Sequence, residues 1–230
     1  MLRSDSLPLF DGTSEDFRRE IDKVLRWKNV NAGQEIINRE DCNTDLILVQ
    51  KGRVRVAVYT LAGREVMLDD VEAGGFFGEL AAIDKAPRSA TVFAVEPSTI
   101  AFLSAQKFEE CLKHEASVGF KIMQRMAEII RQSSIRIVEL STLGANNRIH
   151  AEILRLGREK GVEKDGKIYI TPVPVHTEIA GRVSTARETV ARAMNDLARK
   201  NIVTREKRTL IIHDMKKLAD MVQDVRGDEG

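Results

Sequence analysis

The chain has 230 residues, 43% of them apolar and 31% charged, with a formal net charge of +1. No apolar run approaches the ~20 residues needed to cross a bilayer, and the opening MLRSDSLPLFDGTSEDF has no apolar core of signal-peptide length, so a cytoplasmic protein of two modest domains with no membrane partner is expected. Cys42 and Cys111 lack CxxC spacing and the four histidines are scattered, which argues against zinc or an iron–sulfur cluster and for reduced thiols.

The small net charge hides an asymmetry. Residues 1–144 hold 19 Lys+Arg and 22 Asp+Glu, a net of −3, whereas 145–230 hold 17 and 13, a net of +4. Eight basic residues against three acidic ones fall within 181–209. A local excess of this kind points to a polyanion partner for the C-terminal part.

In chain order, SEDFRREIDKVLR predicts a short amphipathic helix with Ser14 as its N-cap and Phe17, Ile21, Val24 and Leu25 on one face. From about Val30 to Leu103, short β-branched runs (EIIN, DLILVQ, RVRVAVYT, EVMLDDV, SATVFAVEPSTIAFLS) alternate with turn signals at Gly33, Asn43, Gly52, Gly63 and Gly74. Such spacing predicts a β-barrel, sandwich or roll.

Within that region stands FFGELAAIDKAPRSATV, Phe76 to Val92, where Glu79 and Arg88 sit nine positions apart among Gly, Ser, Ala and Pro. Small residues let backbone N–H groups approach an anion, and the planar fork of Arg88 suits one phosphate. Glu79 can accept from a sugar hydroxyl. The pattern fits a pocket for a small phosphorylated, hydroxylated ligand, and equally a β-hairpin with a surface Glu–Arg pair worth at most ~1 kcal/mol.

Gln106–His114 and Val118–Leu140 predict a short and a long helix. On the longer one, Met123, Ile130 and Ile137 repeat every seven residues, as do Met126, Ser133 and Leu140. This a/d seam implies pairing, most simply with the same helix of a second subunit, or else docking on its own domain. Ser133, with Ser134 beside it, is a polar intruder that either bonds back to a carbonyl one turn earlier or faces a ligand. Gly144–Asn147 breaks the helix, Asn147 can cap a helix over Arg148–Lys160, Gly161–Gly166 reads as a loop and Ile168–Pro174 as extended.

Thr177–Val183 and Ala186–Lys200 predict two helices joined at Ser184-Thr185, which is helix-turn-helix spacing, although a structural αα-hairpin shares it. Arg187, Glu188 and Arg192 project from the first half of the second helix, where Arg can read guanine and Glu cytosine. Ile202–Thr204 and Leu210–Ile212 predict a two-stranded wing whose turn carries Lys207 and Arg208, suited to the DNA backbone.

Gly78-Glu79-Leu80-Ala81 followed by Pro87-Arg88-Ser89-Ala90 resembles the phosphate-binding cassette of cyclic-nucleotide-binding domains, and the spaced glycines resemble their roll. Arg39-Glu40-Asp41 departs from that family, which usually has Gly before the acid. The run RETVAR resembles the recognition helix of CRP-type regulators, and both modules in this order resemble the CRP/FNR superfamily, catabolite-activator type, over nearly the whole chain.

That resemblance implies an α+β protein: a cyclic-nucleotide-binding β-roll (1–116), a dimerisation helix and hinge (117–144) and a winged helix-turn-helix domain (145–230). It implies a homodimeric, non-enzymatic transcription regulator gated by cAMP or cGMP, with double-stranded DNA and RNA polymerase as partners and no metal. Arg88 and Ser89 would hold the phosphate, Glu79 the ribose, Gly78 and Leu80 the cassette backbone, and Leu68 would pack near the base. Ser133 and, across the dimer, Ser134 would reach an adenine amino group, while Asp69 would accept from guanine or face solvent. Arg187, Glu188 and Arg192 would read bases. His176, Thr177, Ser184 and Thr185, with Lys207 and Arg208, would hold phosphates. The rivals are the same fold with another small-molecule input, and a cyclic-nucleotide module regulating a partner enzyme. The intact Glu79 and Arg88 oppose the first, and RETVAR opposes the second.

Overall fold

A computed structural model describes residues 3–61, 63 and 65–226. Between Ile130 and Arg131 the chain divides into two compact units. No described helix is long and apolar enough to cross a membrane.

In the first unit, α1 (Glu15–Val24) is capped by Ser14, whose hydroxyl accepts from the Phe17 N–H at 3.2 Å. Eight strands follow: β1 (Arg26–Val30), β2 (Glu35–Ile37), β3 (Leu46–Lys51), β4 (Arg53–Tyr59), β5 (Glu65–Glu72), β6 (Phe76–Phe77), β7 (Thr91–Ala94) and β8 (Ser98–Leu103). The short helix α2 (Glu79–Asp84) interrupts them after β6. They make two antiparallel four-stranded sheets, ordered β1-β8-β3-β6 and β2-β7-β4-β5, the layout of a roll. β1 begins four residues before the expected β region, because its polar sequence RWKNV takes its place by pairing along β8 rather than by alternation.

The run LILV in β3 is apolar throughout because both faces are covered. Leu46 and Leu48 join Phe10, Ile21, Phe108, Val118 and Ile122 on the helical side. Ile47 and Val49 join Val54, Val71, Phe77, Val92 and Ile100 inside the roll. β6 pairs with β3, and Phe77 and Val92 join the same cluster, so both ends of the Phe76–Val92 segment are anchored inside the roll.

α3 (Ala105–His114) leads into α4 (Ala116–Thr142), 27 residues long. Val118 and Ile122 are buried in the first unit, and Met126 rests half-buried on the same cluster. Met126, one of the expected seam residues, therefore faces its own unit. Met123, Ile130, Ile137 and Leu140 are 43–64% exposed and leave an apolar stripe. α4 is shared: its first half joins the first unit, and its last turns, with buried Glu139, join the second.

The second unit continues with α5 (Ala145–Lys160), β9 (Val162–Lys164), β10 (Lys167–Ile170), α6 (His176–Arg182), α7 (Arg187–Arg199), β11 (Val203–Glu206), β12 (Thr209–Ile212) and α8 (Met215–Arg226). Ile149, Ile153, Ile179, Val190, Leu197, Ile202, Ile212 and Leu218 form its core. Three expectations are corrected here. Asn147 is no cap, since Gly144 takes that place and its carbonyl accepts from the Arg148 N–H at 3.1 Å. Gly161–Gly166 is not all loop, because Val162–Lys164 pairs with Lys167–Tyr169 around an Asp165-Gly166 turn. The wing is not an isolated pair, for the sheet order is β11-β12-β10-β9. α8 was not expected from the sequence.

Glu40 stands where the resembling family has glycine, and its φ is +75. A side chain in this left-handed region is strained. Glu40→Gly is expected to raise stability by about 0.5–1 kcal/mol in denaturant unfolding, part of the relief being offset by the freer unfolded chain. A loss of stability would show that the Glu40 side chain holds the turn.

Candidate functional site

β6 runs into Gly78, whose φ is +81. A Cβ there would lie 2.4 Å from Arg88 Nη1 and 3.1 Å from the Asp45 carbonyl oxygen. Backbone angle and space both require glycine. Arg88 fills that space and is only 4% exposed. Its Nη1 donates to the Gly78 carbonyl at 2.9 Å, and its Nη2 to Asn43 Oδ1 at 3.0 Å and the Asp45 carbonyl at 2.7 Å. Its backbone is fixed too, donating to the Asp41 carbonyl at 3.1 Å and accepting from the Glu40 N–H at 3.0 Å.

Arg88 Nε is buried without a partner. Among the described residues no carboxylate is within ion-pair distance of the guanidinium, so neutral acceptors orient a buried charge without neutralising it. Burial pushes its pKa down, opposed by Asp45, Glu79 and Asp41. A guanidinium in this state favours an anion, and its fork matches a phosphate. Ser89 follows directly and is exposed.

Glu79 opens α2 and is 8% exposed. Burial pushes its carboxyl above the ordinary value, and Asp69 adds to this, while its own backbone N–H, Arg125 and Arg88 oppose it. A desolvated carboxylate beside a buried guanidinium suits a ligand with one anion and a neighbouring hydroxyl. Leu80 and Leu68 are both exposed, Leu68 as the extra residue of a β-bulge between the Asp69–Val56 and Met67–Ala57 pairs. Asp69 is not left to solvent: it forms an ion pair with Arg125 of α4. Ser133 and Ser134 are exposed and lie on the second unit's stretch of α4.

Three contributors escaped sequence reasoning. Asn43 and Asp45 orient Arg88 from more than forty residues away, and no local pattern marks them. Arg125 stands between the seam positions Met123 and Met126 and reads as a solvated helix charge.

In the second unit, α6 and α7 meet through a turn in which Ser184 has φ +52 and the Thr185 N–H donates to the Ala180 carbonyl at 3.0 Å. Both residues are half-buried. Arg187, Glu188 and Arg192 are exposed along one end of α7, as are Lys207 and Arg208 at the β11–β12 turn and Thr177 on α6. His176 is half-buried, and burial with the charges of Arg187 and Arg205 pushes its pKa down. It is therefore a neutral donor near pH 7 rather than a cation.

An ionic chain ties the last turns of α4 to this motif. Arg155 donates to Glu139 at 2.9 and 3.1 Å and pairs with Glu152, which is 1% exposed, and Arg182 of α6 lies 3.5 Å from Glu152. Arg136 Nη2 donates to the Gly181 carbonyl at 3.3 Å, and Arg148 Nε to the Val183 carbonyl at 3.0 Å. The orientation of α6 is thus set by side chains of α4 and α5.

The two units define a ligand-binding roll joined in one chain to a winged helix-turn-helix. Residues 27–115 match the cyclic nucleotide-binding domain family and residues 147–221 the Crp-like helix-turn-helix domain. The cyclic AMP receptor protein of Thermus thermophilus is 29% identical over 199 residues, covering 85% of this chain and 88% of the relative. The CRP-like cAMP-activated global transcriptional regulator of Mycobacterium tuberculosis is 21% identical over 211 residues, covering 92% and 94%. The fold matches that of a CooA mutant from Carboxydothermus hydrogenoformans with a TM-score of 0.82, at 22% identity over 95% of this chain and 96% of that one. The chain belongs to the CRP/FNR superfamily of transcription regulators, with a cyclic-nucleotide-binding domain and a DNA-binding domain.

The raised pKa of Glu79 gives a pH test. Folding holds its proton more tightly than the unfolded chain does, so its contribution to stability is full below about pH 4.5 and is lost as pH rises through the folded value. Glu79→Gln is therefore expected to be more stable than the native chain at pH 7 without ligand, with the gap closing towards pH 4.5 in denaturant unfolding. An equal or larger gap at low pH would contradict a desolvated carboxylate.

Proposed function

We propose that the protein is a homodimeric transcription regulator in which a 3′,5′-cyclic nucleotide bound in the roll gates binding to a palindromic DNA site. The observation that carries this is Arg88, a buried guanidinium oriented by neutral groups, with no carboxylate among the described residues within ion-pair distance. The ligand phosphate supplies its countercharge, with Ser89 adding its hydroxyl and backbone. Gly78 and Leu80 frame the cassette, Glu79 takes the ribose 2′-hydroxyl, and the base lies towards Leu68 and Asp69. Ser133 and, from the second subunit, Ser134 meet the base. Relatives named for cAMP make cAMP the first nucleotide to test, and Asp69 makes cGMP the second.

Residues 117–144 act as the dimer segment. Pairing of Met123, Ile130, Ile137 and Leu140 with their copies would cover the exposed stripe. The ligand favours one arrangement of the paired helices, and only a difference in its affinity for the two arrangements can drive the change. The ionic chain through Glu139, Arg155, Glu152 and Arg182 carries the end of α4 to the helix-turn-helix. In the active dimer the recognition helices stand about 34 Å apart, one DNA turn. Arg187, Glu188 and Arg192 read bases, while His176, Thr177, Ser184, Thr185, Lys207 and Arg208 hold the backbone. RNA polymerase is the expected downstream partner of a bound dimer.

A mobility shift on a TGTGA-type palindrome, with cAMP, with cGMP and without nucleotide, tests the reading. The native chain is expected to shift the DNA only with nucleotide, and Arg88→Ala to lose that response. Glu188→Ala is expected to keep nucleotide affinity and lose ~1–3 kcal/mol of discrimination at one position of each half-site. A normal ligand response in Arg88→Ala overturns the pocket assignment, and unchanged base preference in Glu188→Ala excludes direct readout by that side chain.

A further inference from the structure

β5 carries two consecutive aspartates whose side chains meet different partners. Asp70 turns to the β4 side, where Arg55 Nε and Nη2 donate to its two oxygens at 2.8 and 3.0 Å and Arg53 lies 3.4 Å away. That cluster is nearly sealed, with Asp70 6% and Arg55 9% exposed. Asp69 pairs instead with Arg125, which reaches from α4 and also holds Glu128 of its own helix at 3.3 Å. Both members stay partly open, Asp69 at 29% and Arg125 at 24%. Their charges both act on Glu79, the ribose carboxylate, so the pair borders the pocket. The bulge at Leu68 gives Asp69 this placement by re-aiming β5.

We infer that Asp69 and Arg125 together select the base of the ligand, and that the base they fit is guanine. This rests on the cyclic-nucleotide reading of the pocket. A carboxylate and a guanidinium side by side offer two acceptors next to a fork of donors. Guanine presents N1–H and N2–H donors beside the O6 and N7 acceptors, so both charged groups keep a partner when it replaces part of their mutual bond. Adenine offers the guanidinium N1 or N7 but gives the carboxylate one donor, N6–H, where guanine gives two, so one carboxylate oxygen loses its partner. Unpaired polar groups at a binding site are what turn such a mismatch into selectivity. On this inference Asp69 and Arg125 favour guanine over the adenine that the serine pair suits, and Arg125 is a specificity-determining residue not visible in the cassette.

Calorimetric titration of the full chain with cGMP, cAMP and 3′,5′-cyclic inosine monophosphate tests this. The native protein is expected to bind cGMP about tenfold or more tighter than cAMP, with the inosine nucleotide between them because it keeps O6 and N1–H and lacks the amino group. Asp69→Asn and Arg125→Gln are each expected to erase most of that preference while cAMP still binds. Asp70→Asn is expected to lower the unfolding midpoint and keep the preference. Tighter binding of cAMP by the native chain, or an unchanged preference in both Asp69→Asn and Arg125→Gln, overturns the inference and leaves the pocket intact. Binding of none of the three nucleotides removes the pocket reading, and this inference with it.

Discussion

A positive charge held inside protein with no carboxylate among the described residues in ion-pair contact is the constraint on which the first unit depends. Arg88 loses solvation on burial and recovers only part of it from two carbonyls and an amide oxygen. Gly78 exists in its conformation because the guanidinium occupies the place of a side chain. The 40–41 segment tolerates a strained Glu40 and still bonds the Arg88 backbone on both sides. Asn43 and Asp45, at the entrance to β3, are positioned by the most deeply buried strand of the roll. The roll thus keeps one fork of donors in place for an anion, since none of the described residues brings a carboxylate within ion-pair distance of it.

The second constraint is the long helix. Val118 and Ile122 commit its first half to the roll's helical core, and Glu139 commits its last turns to the ionic chain beneath the helix-turn-helix. One element of regular structure therefore continues through both units and carries an apolar stripe between its two attachments. Buried ion pairs add little net stability but penalise misplacement, since losing one partner strands the other. Arg155, Glu152 and Arg182 are suited to transmitting an orientation rather than to holding the fold.

Much of this was legible in the sequence because the residues carrying it are local. Gly78 to Ala90 announces a phosphate cassette, RETVAR with its preceding turn announces a recognition helix, and the heptad spacing marks α4. What was not legible depends on residues brought together over long separations. Asn43 and Asp45 meet Arg88 across half the roll, and Arg125 meets Asp69 across 56 positions. β1 was hidden because RWKNV is polar on the face that covers little, and Met126 because heptad spacing alone cannot say which of two neighbours a helix faces. The Gly144 cap was missed because a glycine N-cap leaves no side-chain signal, whereas Asn147 is a favoured capping type in the wrong place.

If the phosphate is the anchor, then most of the stabilisation a ligand confers comes from the anion, with base and sugar adding to it only once it is held. The direct measurement is the unfolding free energy of the full chain against rising concentrations of a cyclic nucleotide and of the matching uncharged nucleoside. The account predicts a rise of about 2.7 kcal/mol once the cyclic nucleotide reaches roughly a hundred times its dissociation constant, and no comparable rise for the nucleoside at the same concentration. Equal stabilisation by both would mean that Arg88 is not waiting for a phosphate, and would contradict the account at its centre.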